Sequence, residues 1–407
     1  MRKKALFYIL CFLSAFLSSV VVVIDIIGEV LAPDIWVYAN LSFVLGTFIS
    51  FVVVLILLIP YKGLPIGKFV DPNFAGFVLI RRDVLKYFLM MAIGNAISSL
   101  GYFYMLYAFP DPSAMLPFMQ LSIVYLVLGE VAIDKEFPTI VEIHSLISIL
   151  FGALLASISP SGMIDIHGLI IVMFLVNGGM TITILAQKKV RSMRISGRRF
   201  DSINIRLWYL LLTTMFFLLI TYAIRPESVI GMFNVSFEVI GIVSLSMLVT
   251  FFAKVTYIRA LGIGKASITQ AVTSISVILG IPFALVGNIL APGMFTEIAT
   301  SFWVMLIKVI GAILVTMGIV TLALSEIKAV LLIKAAPRGM GEDMLRRIME
   351  IRGVVQVSAL AGKYDYLIKV RMRTLGRGYR LIVRELEKIR GIEDFIWLST
   401  LYEWEEI

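Results

Sequence analysis

The sequence predicts a polytopic all-α membrane protein of about ten transmembrane helices, followed by a small C-terminal α+β domain. Hydrophobic residues make up 60% of the chain and charged residues 15%, with a mean hydropathy of +0.97, values far from those of soluble domains. Apolar stretches of about twenty residues, the length of a helix that crosses a bilayer, recur up to residue 324. From residue 328 the pattern changes to short amphipathic segments.

The apolar stretches are predicted to be helices, because lipid offers no hydrogen-bond partner to an open backbone. The first five are Ala5–Leu31, Trp36–Ile59, Val84–Phe109, Pro112–Ile133 and Pro138–Ser157. The second five are Gly168–Gln187, Ile203–Ala223, Phe237–Leu261, Ala266–Ile289 and Ile298–Leu324. We expect residues 1–160 and 161–326 to form two five-helix repeats. An odd number of spans gives them opposite orientations, as in many secondary transporters.

Basic residues are unevenly distributed among the predicted connections. With the N-terminus inside, the inner connections receive Arg2-Lys3-Lys4 and the cluster from Lys188 to Arg199, whereas the outer ones hold Arg225 almost alone. Lys and Arg concentrate on the cytoplasmic side of membrane proteins. We therefore expect a multi-pass protein of the cytoplasmic membrane with both termini in the cytoplasm and the first apolar run retained. The same bias explains the net charge of +9, so no nucleic-acid partner is expected.

A short motif in the first half carries a family resemblance. Tyr104–Ala108 leads into Pro112-Ser113-Ala114, and the next span closes on Leu128-Gly129-Glu130. These features, over about residues 5–324, resemble the EamA type of the drug/metabolite transporter superfamily. The resemblance implies a ten-helix exporter or exchanger of amino acids and other small metabolites. The second half departs from the family pattern at Gly287-Asn288, where Gly-Glu is expected.

Polar residues at membrane depth predict where a substrate binds. The predicted cavity residues are Asp25, Asn95, Gln120, Asn177, Gln270 and Lys308. Ionisable groups in lipid usually face a cavity or each other. A pair between Lys308 and Asp25, or Glu29 one helical turn further on, would neutralise both charges, and a proton-coupled carrier could also use such a carboxylate. The amides have interhelical hydrogen bonds as their alternative role.

Other polar residues have a second interpretation. The two acids of the first span can reach the outer interface, and Lys254 can extend to the inner one. Tyr102 and Tyr104 either line the cavity or anchor span ends. The two histidines and the single Cys11 supply no spaced metal ligands and no nucleophile with a base. We therefore expect no enzyme activity, no metal site and no cofactor.

The tail reads as strands and helices in the order βαββαβ. The predicted segments are Ala329–Ala335, Gly341–Ile351, Gln356–Leu360, Tyr364–Met372, Thr374–Ile389 and Phe395–Tyr402. An internal repeat, Ile351-Arg352-Gly353-Val354 and Ile389-Arg390-Gly391-Ile392, places a glycine after each helix, where it can take the left-handed cap. This order predicts a ferredoxin-like fold with four antiparallel strands and two helices on one face.

The repeat and the segment Gly362–Val370 resemble the effector domain, often called RAM, of leucine-responsive/asparagine-type regulators. The resemblance implies that residues 328–407 bind an amino-acid effector and pair through the sheet, so that the protein forms a homo-oligomer. Gly362, Tyr364 and Asp365 match the turn that contributes to the effector pocket. There the glycine lets backbone amides approach a carboxylate, and the aspartate can meet an ammonium group. The alternative is a hairpin turn with a solvated Asp365.

These observations predict a secondary transporter that exports an amino acid or related small metabolite, regulated by amino-acid binding to the C-terminal domain. The expected partners are this substrate, the effector, membrane lipid and further copies of the chain. The alternative is a ligand-gated channel or membrane receptor whose C-terminal domain serves mainly for oligomerisation.

Overall fold

The computed structural model describes residues 2–108, 119–134, 140–156, 158, 170–195, 198–264, 266–292, 302–324, 327–336, 341–351, 353–372, 375–389 and 391–399. The chain forms two compact units. The helical unit comprises Met1–Gly129 and Leu146–Val320, and the C-terminal unit comprises Glu130–Ser145 and Thr321–Ile407.

Helices make up most of the described chain. The first part contains α1 (Arg2–Leu31), α2 (Ile35–Leu58), β1 (Pro60–Tyr61), β2 (Leu64–Pro65), α3 (Gly67–Val70), α4 (Arg82–Ala108), α5 (Ser122–Asp134) and α6 (Ile140–Ala156). A π-helix (Val172–Asn177) then leads into α7 (Gly178–Ser192), β3 (Arg194–Ile195) and β4 (Arg198–Arg199). The remaining helices before the C-terminal sheet are α8 (Ser202–Ile224), α9 (Pro226–Gly231), α10 (Phe237–Leu261), α11 (Ala266–Thr273), α12 (Ser276–Leu290) and α13 (Phe302–Leu324).

Several of these helices are long and apolar enough to cross a membrane, in agreement with a helical membrane body. Among the described residues there are five such helices: Ala5–Leu31, Ile35–Leu58, Arg82–Tyr107, Ser202–Ile224 and Phe237–Leu261. A sixth span results if Ala266–Gly280 and Pro282–Leu290, bent by 49° at the proline, are counted together. Parts of the predicted fourth, fifth, sixth and tenth spans lie outside the described residues, so the count of ten remains a prediction.

Helices α4 and α7 cross closely at a pair of glycines. A Cβ atom at Gly94 would lie 2.7 Å from the carbonyl oxygen of Gly179, and one at Gly179 would lie 2.7 Å from the backbone nitrogen of Ser98. Such distances are too short for any side chain. Small residues at helix crossings in membranes let the backbones approach and gain van der Waals contact. The contact brings α4 and α7 together beside the cavity described below.

The C-terminal unit contains a four-stranded sheet with two helices. Its elements are β5 (Ile327–Ala335), α14 (Glu342–Glu350), β6 (Val354–Ala359), β7 (Tyr366–Met372), α15 (Leu375–Glu387) and β8 (Ile392–Ser399). The strands lie in the order β6-β7-β5-β8, and each neighbouring pair is antiparallel. The element order is the βαββαβ order predicted from the sequence.

The core of this unit lies between one sheet face and the helices. Tyr366, Ile368 and Val370 are buried, as their alternation in the sequence predicts, and they belong to the same core as residues of α14 and α15. Gly353 and Gly391 follow the two helices with φ angles of 95° and 102°. Both lie in the left-handed region that favours glycine, but they do not cap the helices as predicted. The C-cap of α14 is Ile351, in an extended conformation, and α15 ends at Glu387, so each glycine lies in the turn before the next strand.

Candidate functional site

A cavity of about 200 Å³ lies inside the helical unit. Residues of α1, α2, α4, the π-helix, α7, α8, α10, α11 and α12 line it. Four of the six predicted cavity residues are among the lining side chains: Asp25, Asn95, Gln120 and Gln270. They come from α1, α4, the residues before α5, and α11, so the fold gathers positions that are far apart in the sequence.

Asp25 is the centre of a hydrogen-bonded cluster at one end of the cavity. Its side chain is 2% exposed. Tyr38 Oη donates to Oδ1 at 2.8 Å, and Ser246 Oγ donates to the same oxygen. Tyr102 Oη donates to Oδ2 at 2.6 Å. All three partners donate, and an ionised carboxylate only accepts, so the cluster is complementary to the charged form of Asp25.

Two glutamines form a second polar cluster in the lining. Gln270 Nε2 donates to Gln120 Oε1 at 3.1 Å, and Ser274 Oγ donates to the same oxygen at 2.9 Å. Tyr257 Oη donates to Gln270 Oε1 at 2.7 Å. Both glutamine side chains are at most 5% exposed. These bonds connect α10 and α11 to the residues before α5 and hold both amides at the cavity wall.

The other predicted cavity residues have different surroundings. Asn95 lines the cavity and donates from Nδ2 to Thr213 Oγ1 at 3.4 Å. Asn177 ends the π-helix and donates to the Val172 carbonyl oxygen at 3.0 Å. Among the described residues that line the cavity, neither Asn177 nor Lys308 is present, although Lys308 is buried in α13.

The ion pair considered between Lys308 and an acid of the first span does not form among the described residues. Within the described part of the chain, Asp25 interacts with three hydroxyl groups, and the charged neighbour of Glu29 is Asp34. The physical reason is that Tyr38, Tyr102 and Ser246 stabilise the buried carboxylate without a cation. Sequence reasoning considered Tyr102 but missed the other two donors.

Two basic residues of the lining were not among the predicted cavity residues. The sequence left Lys254 of α10 with an alternative role at the inner interface, and Arg206 of α8 was not considered; both line the cavity. By contrast, Tyr104 is 37% exposed and is not among the described lining residues. A basic residue within a predicted span is the signal that identifies Lys254 and Arg206 as candidates.

The π-helix Val172–Asn177 contributes Val176 to the cavity wall. Ser98 Oγ of α4 donates to the Val176 carbonyl oxygen at 2.9 Å. A π-helical turn leaves backbone groups outside the usual i to i−4 ladder, and such turns are frequent at functional sites. Here a neighbouring helix supplies the hydrogen bond, so the irregular turn is accommodated beside the cavity.

A buried ion pair connects residue 71, which lies outside the spans, with the end of α7 and the start of α8. Arg191 Nη2 lies 2.7 Å from Asp71 Oδ2, with both side chains at most 5% exposed. Ser202, the first residue of α8, donates to the same oxygen from its backbone nitrogen at 2.8 Å and from its hydroxyl at 2.7 Å. Burial raises the pKa of Asp71, but Arg191 and the hydrogen bonds from Ser202 and Asn73 outweigh it, and the pKa lies below its ordinary value of 3.8. The pair ties residue 71 to the end of α7 and the start of α8.

The predicted effector turn lies between β6 and β7. Asp365 Oδ2 accepts a hydrogen bond from the Ala335 backbone nitrogen at 2.7 Å, at the irregularity where β5 pairs with β8. Asp365 therefore holds the end of β5, a structural role that the sequence did not predict. Gly362 does not have a positive φ, and a Cβ atom there would have no described atom within 4 Å. Tyr364 is partly buried, with Lys363 Nζ 5.9 Å from its ring centre.

Comparison with known proteins addresses the C-terminal unit. Residues 328–402 match the family described as the Lrp/AsnC ligand binding domain. The C-terminal segment carries an Lrp/AsnC-type ligand-binding domain. This confirms the resemblance predicted for that part of the chain. No family model supports the EamA resemblance of the helical part, which stays a prediction.

Other comparisons add little. No curated protein matches the chain. One solved structure, described only as "Crystal structure of protein", is similar with 13% sequence identity and a TM-score of 0.49, covering 76% of this chain and 95% of its own. A TM-score below 0.5 does not establish a shared fold, and no conclusion follows from it.

Proposed function

We propose that the chain is a secondary carrier that moves an amino acid or a related small metabolite across the membrane. In this proposal, amino-acid binding to the C-terminal domain regulates the carrier. The observation that carries the proposal is a cavity with buried polar groups, enclosed by helices of membrane-spanning length. Buried ionisable and polar residues in membrane proteins usually mark substrate or ion pathways.

The size and lining of the cavity favour a small, polar cargo. Its volume of about 200 Å³ is below the range of about 300–1,000 Å³ typical of sites for drug-sized ligands. Asp25, Asn95, Gln120 and Gln270 present an acid and three amides to the interior. Such groups fix the orientation of a small ligand through hydrogen bonds and charge.

The finer architecture belongs to the same proposal. The carrier would consist of about ten helices in two inverted five-helix repeats, similar to EamA-type transporters, with the cavity near the midplane between the repeats. It would lie in the cytoplasmic membrane with both termini inside, and it would work in the direction of export. The charge bias of the connections and the motif from Tyr104 to Glu130 support this arrangement.

The C-terminal domain is proposed to sense the effector and to pair with a second copy of the chain. The geometry of the turn supports an effector site near Asp365. Its Oδ2 is used by the Ala335 amide, whereas Oδ1 forms no hydrogen bond with the described residues and remains available to an ammonium group. Since neither its φ angle nor its surroundings require a glycine at Gly362, approach by a ligand is a reason for one there. Effector binding changes transport only if its affinity differs between the carrier's conformations.

Proteoliposomes that contain the full chain test this proposal. Uptake of a labelled amino acid against its gradient, driven by preloaded unlabelled cargo, is the expected result. A channel would only dissipate gradients, and a receptor would show no flux, so either result would contradict a carrier.

The regulatory part is tested by Asp365→Asn, which keeps an acceptor for the Ala335 amide but removes the charge. We expect the effector response to be lost while basal transport is retained. Glu387→Gln, an acid-to-amide change at an exposed position of α15, is the control and should keep the response. Equal loss of basal transport and response in Asp365→Asn would exclude a regulatory role.

A further inference from the structure

The end of the cavity opposite Asp25 is basic. Arg206 of α8 is 4% exposed, and its Nη1 donates to Tyr209 Oη at 2.5 Å, with the guanidinium 5.1 Å from the Tyr209 ring centre. The Arg206 Nε is buried and has no hydrogen-bond partner among the described residues. Two basic groups thus share the cavity wall, because Lys254 of α10 also lines it.

Lys254 has no compensating partner in the described structure. It forms no ion pair or hydrogen bond there, and the charged neighbour acting on it is Arg206, a like charge. Thr250, one helical turn before Lys254 and on the same helix face, also lines the cavity, and its buried Oγ1 lacks a partner among the described residues. Lys254, Arg206 and Thr250 therefore all line the cavity, and each has a donor group that no described residue uses.

Asp25 does not neutralise this basic end. Ser246, which contacts Asp25, and Lys254 are eight residues apart on α10, about 12 Å along the helix axis. Both Asp25 oxygens already accept hydrogen bonds from hydroxyl groups. Neighbouring cations in a site of low dielectric are unfavourable unless an anion or water compensates them.

We propose that Lys254, Arg206 and Thr250 form a binding site for an oxyanion, a carboxylate or phosphate group of the transported molecule. Arg binds planar oxyanions through paired N–H groups, Lys adds a point charge, and the Thr250 hydroxyl adds a donor. As a statement about cargo, the inference rests on the proposed carrier function. It also limits how the cargo binds. Because the α-ammonium and α-carboxylate of an amino acid share one carbon, a cargo that reaches from this site to Asp25 needs a longer separation between its charged groups.

Anion binding to the full chain tests the site independently of transport. The protein is placed in nanodiscs of phosphatidylcholine, and its melting temperature is measured with sodium phosphate or acetate against sodium chloride at equal ionic strength. We expect a saturable increase with phosphate or acetate, and at least a tenfold weaker apparent affinity in Lys254→Gln. Arg206→Lys, which keeps the charge but loses the paired N–H groups, should lie between the two. Lys189→Gln, at an exposed position of α7, should match the wild type.

Three outcomes would overturn the proposal. The first is no anion-dependent shift of the melting temperature in the wild type. The second is a shift in both Lys254→Gln and Arg206→Lys as large as that in the wild type. The third is stabilisation by phosphatidylglycerol nanodiscs without added anion, which Lys254→Gln removes. The last outcome would assign the site to a lipid headgroup. If Lys254→Gln loses anion binding and the wild type shows no transport in proteoliposomes, the oxyanion site is supported and the carrier function is rejected. Transport with anion binding unchanged in the variants would reject the site and keep the carrier.

Discussion

The hydroxyl cluster around Asp25 predicts an unequal response to removal of its donors. Tyr102 is the one described donor to Oδ2, whereas Tyr38 and Ser246 share Oδ1. Tyr102→Phe leaves one carboxylate oxygen without a protein partner, and Ser246→Ala leaves the other oxygen with Tyr38. The two variants therefore separate the contributions of the two oxygens.

The magnitudes follow from the geometry. A hydrogen bond to a charged group contributes about 1.5–3 kcal/mol, and the bond from Tyr102 is short at 2.6 Å. We expect Tyr102→Phe to lower the free energy of unfolding by about 1.5–3 kcal/mol. The loss is closer to about 1.5 kcal/mol if a water molecule in the cavity takes over the hydrogen bond of the phenol. Ser246→Ala should cost about 0.5–1.5 kcal/mol, because the same oxygen keeps its bond from Tyr38.

Unfolding of the purified chain in mixed detergent micelles, titrated with dodecyl sulfate, measures both values. The cycle with Asp25→Asn supplies the control. In that background Tyr102→Phe should cost much less, because the charge that strengthened the bond is gone. Two results would refute the assignment of the Tyr102 phenol to a charged Oδ2. One is a loss of stability in Tyr102→Phe no larger than that in Ser246→Ala, and the other is a Tyr102→Phe loss that Asp25→Asn does not change.

Three further predictions concern helix packing and the buried ion pair. Asp71→Asn should destabilise the chain by about 3–5 kcal/mol, because it leaves the buried Arg191 charge unpaired; a denaturant titration showing less than about 1 kcal/mol would contradict this. The pKa of Asp71 in the folded chain lies below 3.8, so its stabilising effect is present above that pH and is lost as the pH falls below it. Acidification from about pH 5 to about pH 3 should therefore lower the melting temperature more in the wild type than in Asp71→Asn. Gly179→Ala should cost about 1–3 kcal/mol in the same titration, since its Cβ would lie 2.7 Å from the Ser98 nitrogen. Gly178→Ala, whose Cβ meets no described atom within 4 Å, should be neutral or stabilising, and similar losses in both would show that the crossing is not the cause.

The broad fold could be predicted because it depends on patterns that are local in the sequence. An apolar run such as Ile35–Leu58 can be buried only against lipid or another helix, so its length and hydropathy predict a membrane span. The alternation at Tyr366, Ile368 and Val370 predicts which face of a strand is buried, and the repeated Gly353 and Gly391 predict the turns that follow the two helices.

The partners of the polar residues could not be predicted in the same way. Asp25 binds hydroxyl groups of residues up to 221 positions away, and no periodicity relates α1 to Ser246. The possible pairing with Lys308 was inferred from charge alone, although hydroxyl groups can also satisfy a buried carboxylate. The role of Lys254 stayed open between the cavity and the inner interface, because the sequence gives the depth of a residue in its span but not which side of the helix faces the cavity.

The π-helix changes the phase of the span that contains it. Its six residues, Val172–Asn177, carry one residue more than an α-helical path needs, which is about 100° of rotation at about 3.6 residues per turn. A helical wheel that uses the same rotation per residue along the whole span therefore assigns the lipid-facing and inward-facing sides wrongly on one side of the π-helix. Removing one residue from it would restore regular winding but swing the preceding segment round the helix axis, so single deletions there should alter the chain more than conservative substitutions do.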